Sequence, residues 1–208
     1  NLRKSQCCRP LAQLSHDLDR IGLEAVLVWQ GRLKFRMHVS IVASSPPSQT
    51  DAFQWSDESD CQVMVERLAE GLRPMLTQGQ TVYIELHGTL GAGKTTFTRH
   101  LLRALGVEGR IKSPSYAVVE PHEAPGIQIH HFDFYRFNDP QEWEDAGFRD
   151  LFAAPGLKLA EWPEQAAGLL PRPDLRLSLT PVSDTRRDVR LQALTPTGEA
   201  LRQRIAQP

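Results

Sequence analysis

From Ser56 onward the apolar residues fall into two rhythms. Cys61, Met64, Val65, Leu68 and Leu72 recur every three or four residues, which places them on one face of a helix, and Ser56 before an acidic first turn predicts its N-cap. The run Thr81–His87, TVYIELH, alternates and predicts a strand. Helical spacing then returns over Lys94–Leu105, and the helix is expected to stop at Gly106 after a last turn containing Arg103. IQIHHF and GLKLA are short apolar runs of the length of buried strands. Asp139, with Pro140 at the first helical position and Glu142 as capping partner, marks a further helix start. LRLSL and VRLQAL alternate on either side of a polar turn and predict a hairpin, and Glu199 to Ile205 a final helix. Strands alternating with helices predict an α/β domain with a largely parallel sheet flanked by helices, and ligands at the carboxyl ends of the strands.

The first fifty residues read differently. NLRKSQCCRPLAQLSHDLDR has no sustained period, and SSPPSQT over Ser44–Thr50 has the composition of a linker. The expected organisation is an N-terminal extension over 1–52, poorly ordered or artefactual, and one folded domain over 53–208. The chain begins with Asn1 and offers an internal start at Met37, which suits a gene-boundary origin for the upstream residues. With 208 residues, 40% of them hydrophobic, the chain can bury a core without oligomerising. A net charge of −1 provides no global attraction to nucleic acid, so contact with RNA is expected to be local or through a partner. Three cysteines, Cys7, Cys8 and Cys61, make neither an even disulfide framework nor a metal-ligand pattern, and point to a reducing compartment, the cytoplasm. No apolar run approaches the length of a membrane span.

The chemistry concentrates between the alternating run and the helix that follows, in GTLGAGKTTF. Gly88, Gly93, Lys94 and Thr95 satisfy G-x-x-x-x-G-K-[ST], the phosphate-binding loop, here between a strand and a helix as its function requires. Backbone N–H groups of Gly88, Thr89, Leu90, Gly91, Ala92, Gly93, Lys94, Thr95 and Thr96 are candidates for cradling phosphates. Lys94 is expected to reach the β/γ oxygens and the Thr95 hydroxyl to ligate Mg²⁺. This spacing predicts a P-loop NTPase-like domain. Two acids end apolar strands, Asp133 in HHFDFYRF and Glu161 in LAEWPE, and a hydrolytic site needs one acid for the metal and one group to orient water. Helix cap or surface acid is the bland reading of each. KSPSYAVVE places Ser113 and Ser115 around Pro114, either as a loop that orders about a γ-phosphate or as an ordinary connection. His130 and His131 have no ligand-like spacing and read as structural. Trp162 either packs over the site or faces a partner. Arg99, Arg103, Arg110 and Lys112 read as a solvated helix face, whereas Arg186, Arg187 and Arg190 could reach a nucleotide only if the fold returns them to it.

Taken together, GTLGAGKTTF, LGVEGRIKSPSYAVVEP, HHFDFYRFNDPQEWEDAGFRDLF and EWPE resemble the TsaE (YjeE) family, a small bacterial ATPase of tRNA threonylcarbamoyladenosine biosynthesis. The resemblance covers roughly Phe53 to the C-terminus and is strongest from Gly88 to Pro163. It implies ATP and Mg²⁺ as cofactors, Gly88 to Thr96 as the phosphate site, Thr95 and Glu161 as metal ligands, and Asp133 as a catalytic or metal-linked acid. Ser113 to Tyr116 become a switch-like loop, Trp162 matches the family's functional tryptophan, and Arg187 matches a C-terminal arginine near the nucleotide. It further implies that ATP hydrolysis resets a partner complex, a threonylcarbamoyl transferase subunit with its paralogue, of TsaD and TsaB type. That complex modifies tRNA at position 37, so this chain would meet tRNA indirectly. The sequence departs from the family at Thr89, where Asp is common, at Ser115, where Thr is usual, and at Cys61, where a hydroxyl residue is expected near the base. Two other classes fit the bare phosphate loop: a small-molecule kinase, with the Arg186 to Arg190 cluster as its lid, and a nucleotide-dependent binding module with negligible turnover.

Overall fold

The computed structural model describes residues 49–206, except Ser115. The expectations for the upstream extension, including Cys7, Cys8 and Met37, lie outside the described residues. The first strand, β1 (Thr50–Trp55), spans the expected boundary at residue 52. It is followed by α1 (Glu58–Thr77), β2 (Thr81–His87) and α2 (Lys94–Leu105). Next come the hairpin β3 (Val119–Ala124) and β4 (Ile127–Asp133), a 3-10 turn over Phe134–Arg136, and two short helices, α3 (Pro140–Asp145) and α4 (Phe148–Ala153). β5 (Gly156–Glu161), a second 3-10 turn (Pro163–Ala166), β6 (Leu175–Pro181), β7 (Arg187–Ala193) and α5 (Pro196–Ala206) complete the domain.

All seven strands form one sheet in the order β1-β7-β6-β2-β5-β4-β3. β6, β2, β5 and β4 run parallel at its centre, while β7, β1 and β3 join antiparallel. The sheet is therefore mixed rather than largely parallel. The difference comes from β1 and β3, which the apolar pattern did not announce. β3, VEPHEA, is polar and carries Pro121, which an edge strand tolerates because one row of its backbone groups needs no partner. The hairpin β6–β7 and the final helix form as predicted.

Alternation along the strands sorts the core into two layers. Val82, Ile84 and Leu86 of β2 and Leu157 and Leu159 of β5 face α1, α2 and α5. Tyr83, Phe132 and Ala160 face the opposite way, into an aromatic cluster with Trp143, Phe148 and Phe152 of α3 and α4. Asp57 caps α1, its carboxylate accepting the Ser59 N–H at 2.8 Å, and not Ser56, whose own N–H is held by Asp60 at 2.7 Å. Asp139 caps α3 by accepting the Gln141 N–H, as expected, but Gly147 in the left-handed region (φ 65°) ends that helix and starts α4.

Candidate functional site

The carboxyl ends of β2, β5 and β4 lie side by side, with Leu86 opposite Glu161 and Asp133 opposite Glu161 in register. β2 runs out into the glycine loop. Gly88 sits at φ +143°, and a Cβ there would come 2.5 Å from the Leu179 carbonyl oxygen, so only glycine lets the loop leave the strand this close to β6. Gly91 and Gly93 also have positive φ, and nothing lies within 4 Å of where their Cβ atoms would be, which leaves an open concavity. Gly93 caps α2 without a side-chain hydrogen bond, and no acid occupies that helix's first turn. The first N–H groups of α2 thus face the concavity unscreened, the arrangement that binds phosphate at helix N-termini.

Lys94 begins α2 and folds back over the loop. Its ammonium donates to the carbonyls of Gly88 at 2.6 Å and Thr89 at 3.0 Å, and lies 3.8 Å from the centroid of the Trp162 ring. Burial pulls its pKa below the ordinary lysine value, against the opposing pull of Glu161, Glu164 and Asp133. Trp162 has φ 56°, an uncommon left-handed conformation for a non-glycine residue, directly after the β5 acid. That bend turns the indole over Lys94 and against Tyr135, whose ring centroid is 5.0 Å away. The indole thus packs on Lys94 and Tyr135 while remaining partly exposed.

The two strand-end acids converge as well. Glu161, 2% exposed, accepts from the Thr95 hydroxyl at 3.0 Å through Oε2 and faces His131 Nε2 at 2.9 Å through Oε1. Asp133 accepts the Tyr135 N–H at 3.0 Å and the Ser113 hydroxyl. It therefore caps the 3-10 turn with one oxygen and ties down the Ser113 loop with the other. These donors are all hard oxygens, the chemistry that suits Mg²⁺, which needs only one or two carboxylates beside phosphate oxygens and water. A cavity of about 370 Å³ is lined by the loop residues Leu90 to Thr96 with Ser113, Asp133, Glu161 and Trp162, and also by Tyr135 and Arg136.

Gly88 and Thr89 do not line the cavity, and their carbonyls accept from Lys94. Arg187 reaches the outside of the loop, where its Nε donates to the Ala92 carbonyl at 3.0 Å, so it buttresses the loop without lining the cavity. Arg186 instead bonds Gln54 at 2.8 Å. Ser115 lies outside the described residues. Cys61 is in the core, and burial pushes its thiol up to about 12. Sequence reasoning treated His131 as structural and passed over Arg136. His131 is fully buried, and its Nδ1 has no partner among the described residues, so the imidazole is held chiefly by Glu161. A signal was available: His131 and Asp133 are two apart on a strand and so share a face, the same one that Glu161 presents from β5.

The turn bearing Trp162 is also tied to β2 from the opposite side of the sheet. Glu85 accepts from Arg176 at 2.9 Å and faces His87 Nε2 at 2.9 Å, while His87 Nδ1 approaches Glu164 at 3.4 Å. Burial raises the Glu85 pKa, but the bonds to His87 and Arg176 outweigh it and hold the carboxyl below its ordinary value. Among the described residues, no helix is long and apolar enough to cross a membrane.

Residues 56–189 match the profile of the family described as "Threonylcarbamoyl adenosine biosynthesis protein TsaE". Relatives named tRNA threonylcarbamoyladenosine biosynthesis protein TsaE include one from Haemophilus influenzae, 40% identical over 134 residues, 64% of this chain and 84% of the relative. Another, from Bacillus subtilis, is 32% identical over 111 residues, 53% of this chain and 69% of the relative. The fold is similar to the crystal structure of Bacillus subtilis YdiB, with a TM-score of 0.61 over 76% of this chain and 95% of that one, at 20% identity. The family profile covers most of the folded domain and every motif that lines the cavity, and the chain belongs to the TsaE family.

Proposed function

We propose that this protein is the Mg²⁺-dependent ATPase subunit of tRNA threonylcarbamoyladenosine biosynthesis, acting in the cytoplasm. On this reading it binds a threonylcarbamoyl transferase subunit and its paralogous partner, of TsaD and TsaB type, and resets that complex through ATP hydrolysis. The observation that carries the reading is the convergence of Lys94, Thr95, Glu161 and Asp133 on the uncapped start of α2. Thr95 and Glu161 would hold Mg²⁺, which would supply neutralisation of the phosphate charge. Lys94 exchanges its loop carbonyls and Trp162 for phosphate oxygens. Asp133 orients the attacking water; the water oxygen bonds to the γ-phosphorus, the bond to the β–γ bridging oxygen breaks with its electron pair leaving on ADP, and the water's proton passes through Asp133 to solvent.

A small-molecule kinase is disfavoured by the arginines it would need as a lid, since Arg186 and Arg187 are spent on Gln54 and on the carbonyls of Ala92 and the β6–β7 turn. A binding module with negligible turnover is separated by single-turnover measurement with labelled ATP. The decisive experiment is steady-state hydrolysis by the isolated protein and with the purified transferase pair, using Lys94→Ala to subtract contaminating activity. Turnover is expected to be weak alone and to rise at least about tenfold with the pair, equivalent to ~1.4 kcal/mol of barrier. If the pair neither binds nor changes the rate, the assignment fails.

The Glu161–His131 contact yields a prediction of its own. His131→Ala removes the group that orients the metal-binding carboxylate, and loss of such supporting partners costs about 10–100-fold in metal affinity or activity. Titrating Mg²⁺ against ATPase rate in the folded variant should show both a higher half-saturation and a lower maximum. A Mg²⁺ curve superimposable on the wild type would remove His131 from the site.

A further inference from the structure

Arg136 combines three features that the phosphate loop and acids leave unexplained. It is the one arginine lining the cavity among the described residues, and no acid lies within ion-pair distance of it there. Its root is fixed: Phe137 beside it and Phe134 at the start of its turn are buried, Asp133 caps that turn, and the Phe137 N–H closes it on the Phe134 carbonyl at 2.9 Å. Its head is held lightly, with the guanidinium carbon 4.7 Å from the centroid of the Tyr116 ring, and Tyr116 is 88% exposed. A cation–π contact at so exposed a site shifts a population by only about two- to fivefold. A fixed root three residues from Asp133 on a residue that lines the cavity, and a charged head on a weak hold, describe a cation able to turn into the cavity.

We propose that Arg136 is a catalytic residue of this site, whose guanidinium leaves Tyr116 to stabilise the negative charge on the γ-phosphoryl group as it transfers. The inference rests on the ATPase reading and deepens it: the cation that completes the site comes from this chain, and the transferase pair accelerates hydrolysis both by freeing that cation from Tyr116 and by ordering it against the γ-phosphoryl group. Lys94 belongs to the glycine loop and would neutralise phosphate charge from there, whereas Arg136 lines the same cavity from the segment that also carries Asp133. Arginines that serve in this way are worth about 10³–10⁵ in rate in related phosphate-loop hydrolases, whether supplied in cis or in trans.

The experiment uses the full chain with the purified transferase pair and Mg²⁺-ATP, comparing wild type, Arg136→Ala, Arg136→Lys and Tyr116→Ala. Wild-type turnover that disappears in Lys94→Ala establishes the ATPase reading separately, and its absence would fail that reading rather than the role of Arg136 within it. Arg136→Ala should lower kcat by about 10³-fold while KM for ATP stays within about threefold, because the contact forms in the transition state. Low-millimolar guanidinium should restore part of that loss, and Arg136→Lys should not restore it fully, since a lysine lacks the planar fork. Tyr116→Ala should raise turnover of the isolated protein about two- to fivefold. Wild-type kcat in Arg136→Ala overturns the proposal. So does a loss that guanidinium leaves untouched and that follows weakened capture of the transferase pair, which would make Arg136 a docking residue.

Discussion

Lys94→Ala is expected to abolish the stabilisation of this protein by ATP. The Lys94 side chain is largely buried, its ammonium held by two loop carbonyls and the Trp162 face at the start of α2, beside the helix N–H groups that would receive phosphates. Burial weakens its charged state, and ATP would relieve that cost by placing β- and γ-phosphate oxygens against it. ATP at about 100 times its dissociation constant adds ~2.7 kcal/mol to wild-type stability. For a domain of this size that corresponds to a rise in melting temperature of about 5–10 °C. The variant should lose nearly all of it, while its nucleotide-free melting temperature moves much less, because Lys94 contributes a salt-free contact to loop carbonyls rather than to the apolar core. Thermal melts with and without Mg²⁺-ATP decide the matter. An ATP-induced shift equal to that of the wild type would mean that the glycine loop is not the nucleotide site.

The second large effect belongs to the acids. Asp133→Ala and Glu161→Ala should each reduce hydrolysis by about 10²–10⁴-fold, the range seen when a positioned acid, base or charge-stabilising group is removed. They should fail differently. Glu161 touches Thr95, so its loss should weaken Mg²⁺ binding and raise the metal concentration needed for half-maximal rate. Asp133 bonds Ser113 and the Tyr135 N–H, so its loss should leave metal dependence nearly intact and depress the maximal rate. Both folds should survive. Both carboxylates stand at the carboxyl ends of their strands and belong to neither apolar layer of the core, so truncating them opens no hydrophobic cavity. Melting curves of the purified variants alongside their Mg²⁺ titrations test this. Wild-type turnover in either one would exclude that residue from the chemistry.

How much of this was legible beforehand follows from the range of the interactions involved. The limits of β2 and α2 agree with the alternating and helical runs to the residue, because local hydrophobic period and the Gly93 and Gly106 boundaries decide them. The motif GTLGAGKTTF was readable because all its parts act within ten residues of chain, and backbone geometry there depends on glycine more than on tertiary context. β1 and β3 escaped notice because an edge strand needs neither continuous apolar residues nor a complete set of N–H donors, and Pro121 argues against a strand only where both neighbours are present. Ser56 looked like the cap of α1, yet Asp57 has the extended backbone and the short carboxylate that reach Ser59.

By itself, the sequence determined the glycine loop, its helix, and two acids at strand ends, since each is a property of a short segment with its own period or spacing. Which strands stand next to one another was decided only by tertiary structure, and the pairing of β4 with β5 is what turns two separate acids into register partners and turns His131 into the support of Glu161. The same holds for Arg187, returned by the β6–β7 hairpin to the back of the loop, and for Arg136, which lines the cavity with its guanidinium on the Tyr116 ring. The physical reason is that strand pairing and side-chain convergence are set by burying two apolar faces of one sheet at once, a global requirement that no single stretch of residues encodes.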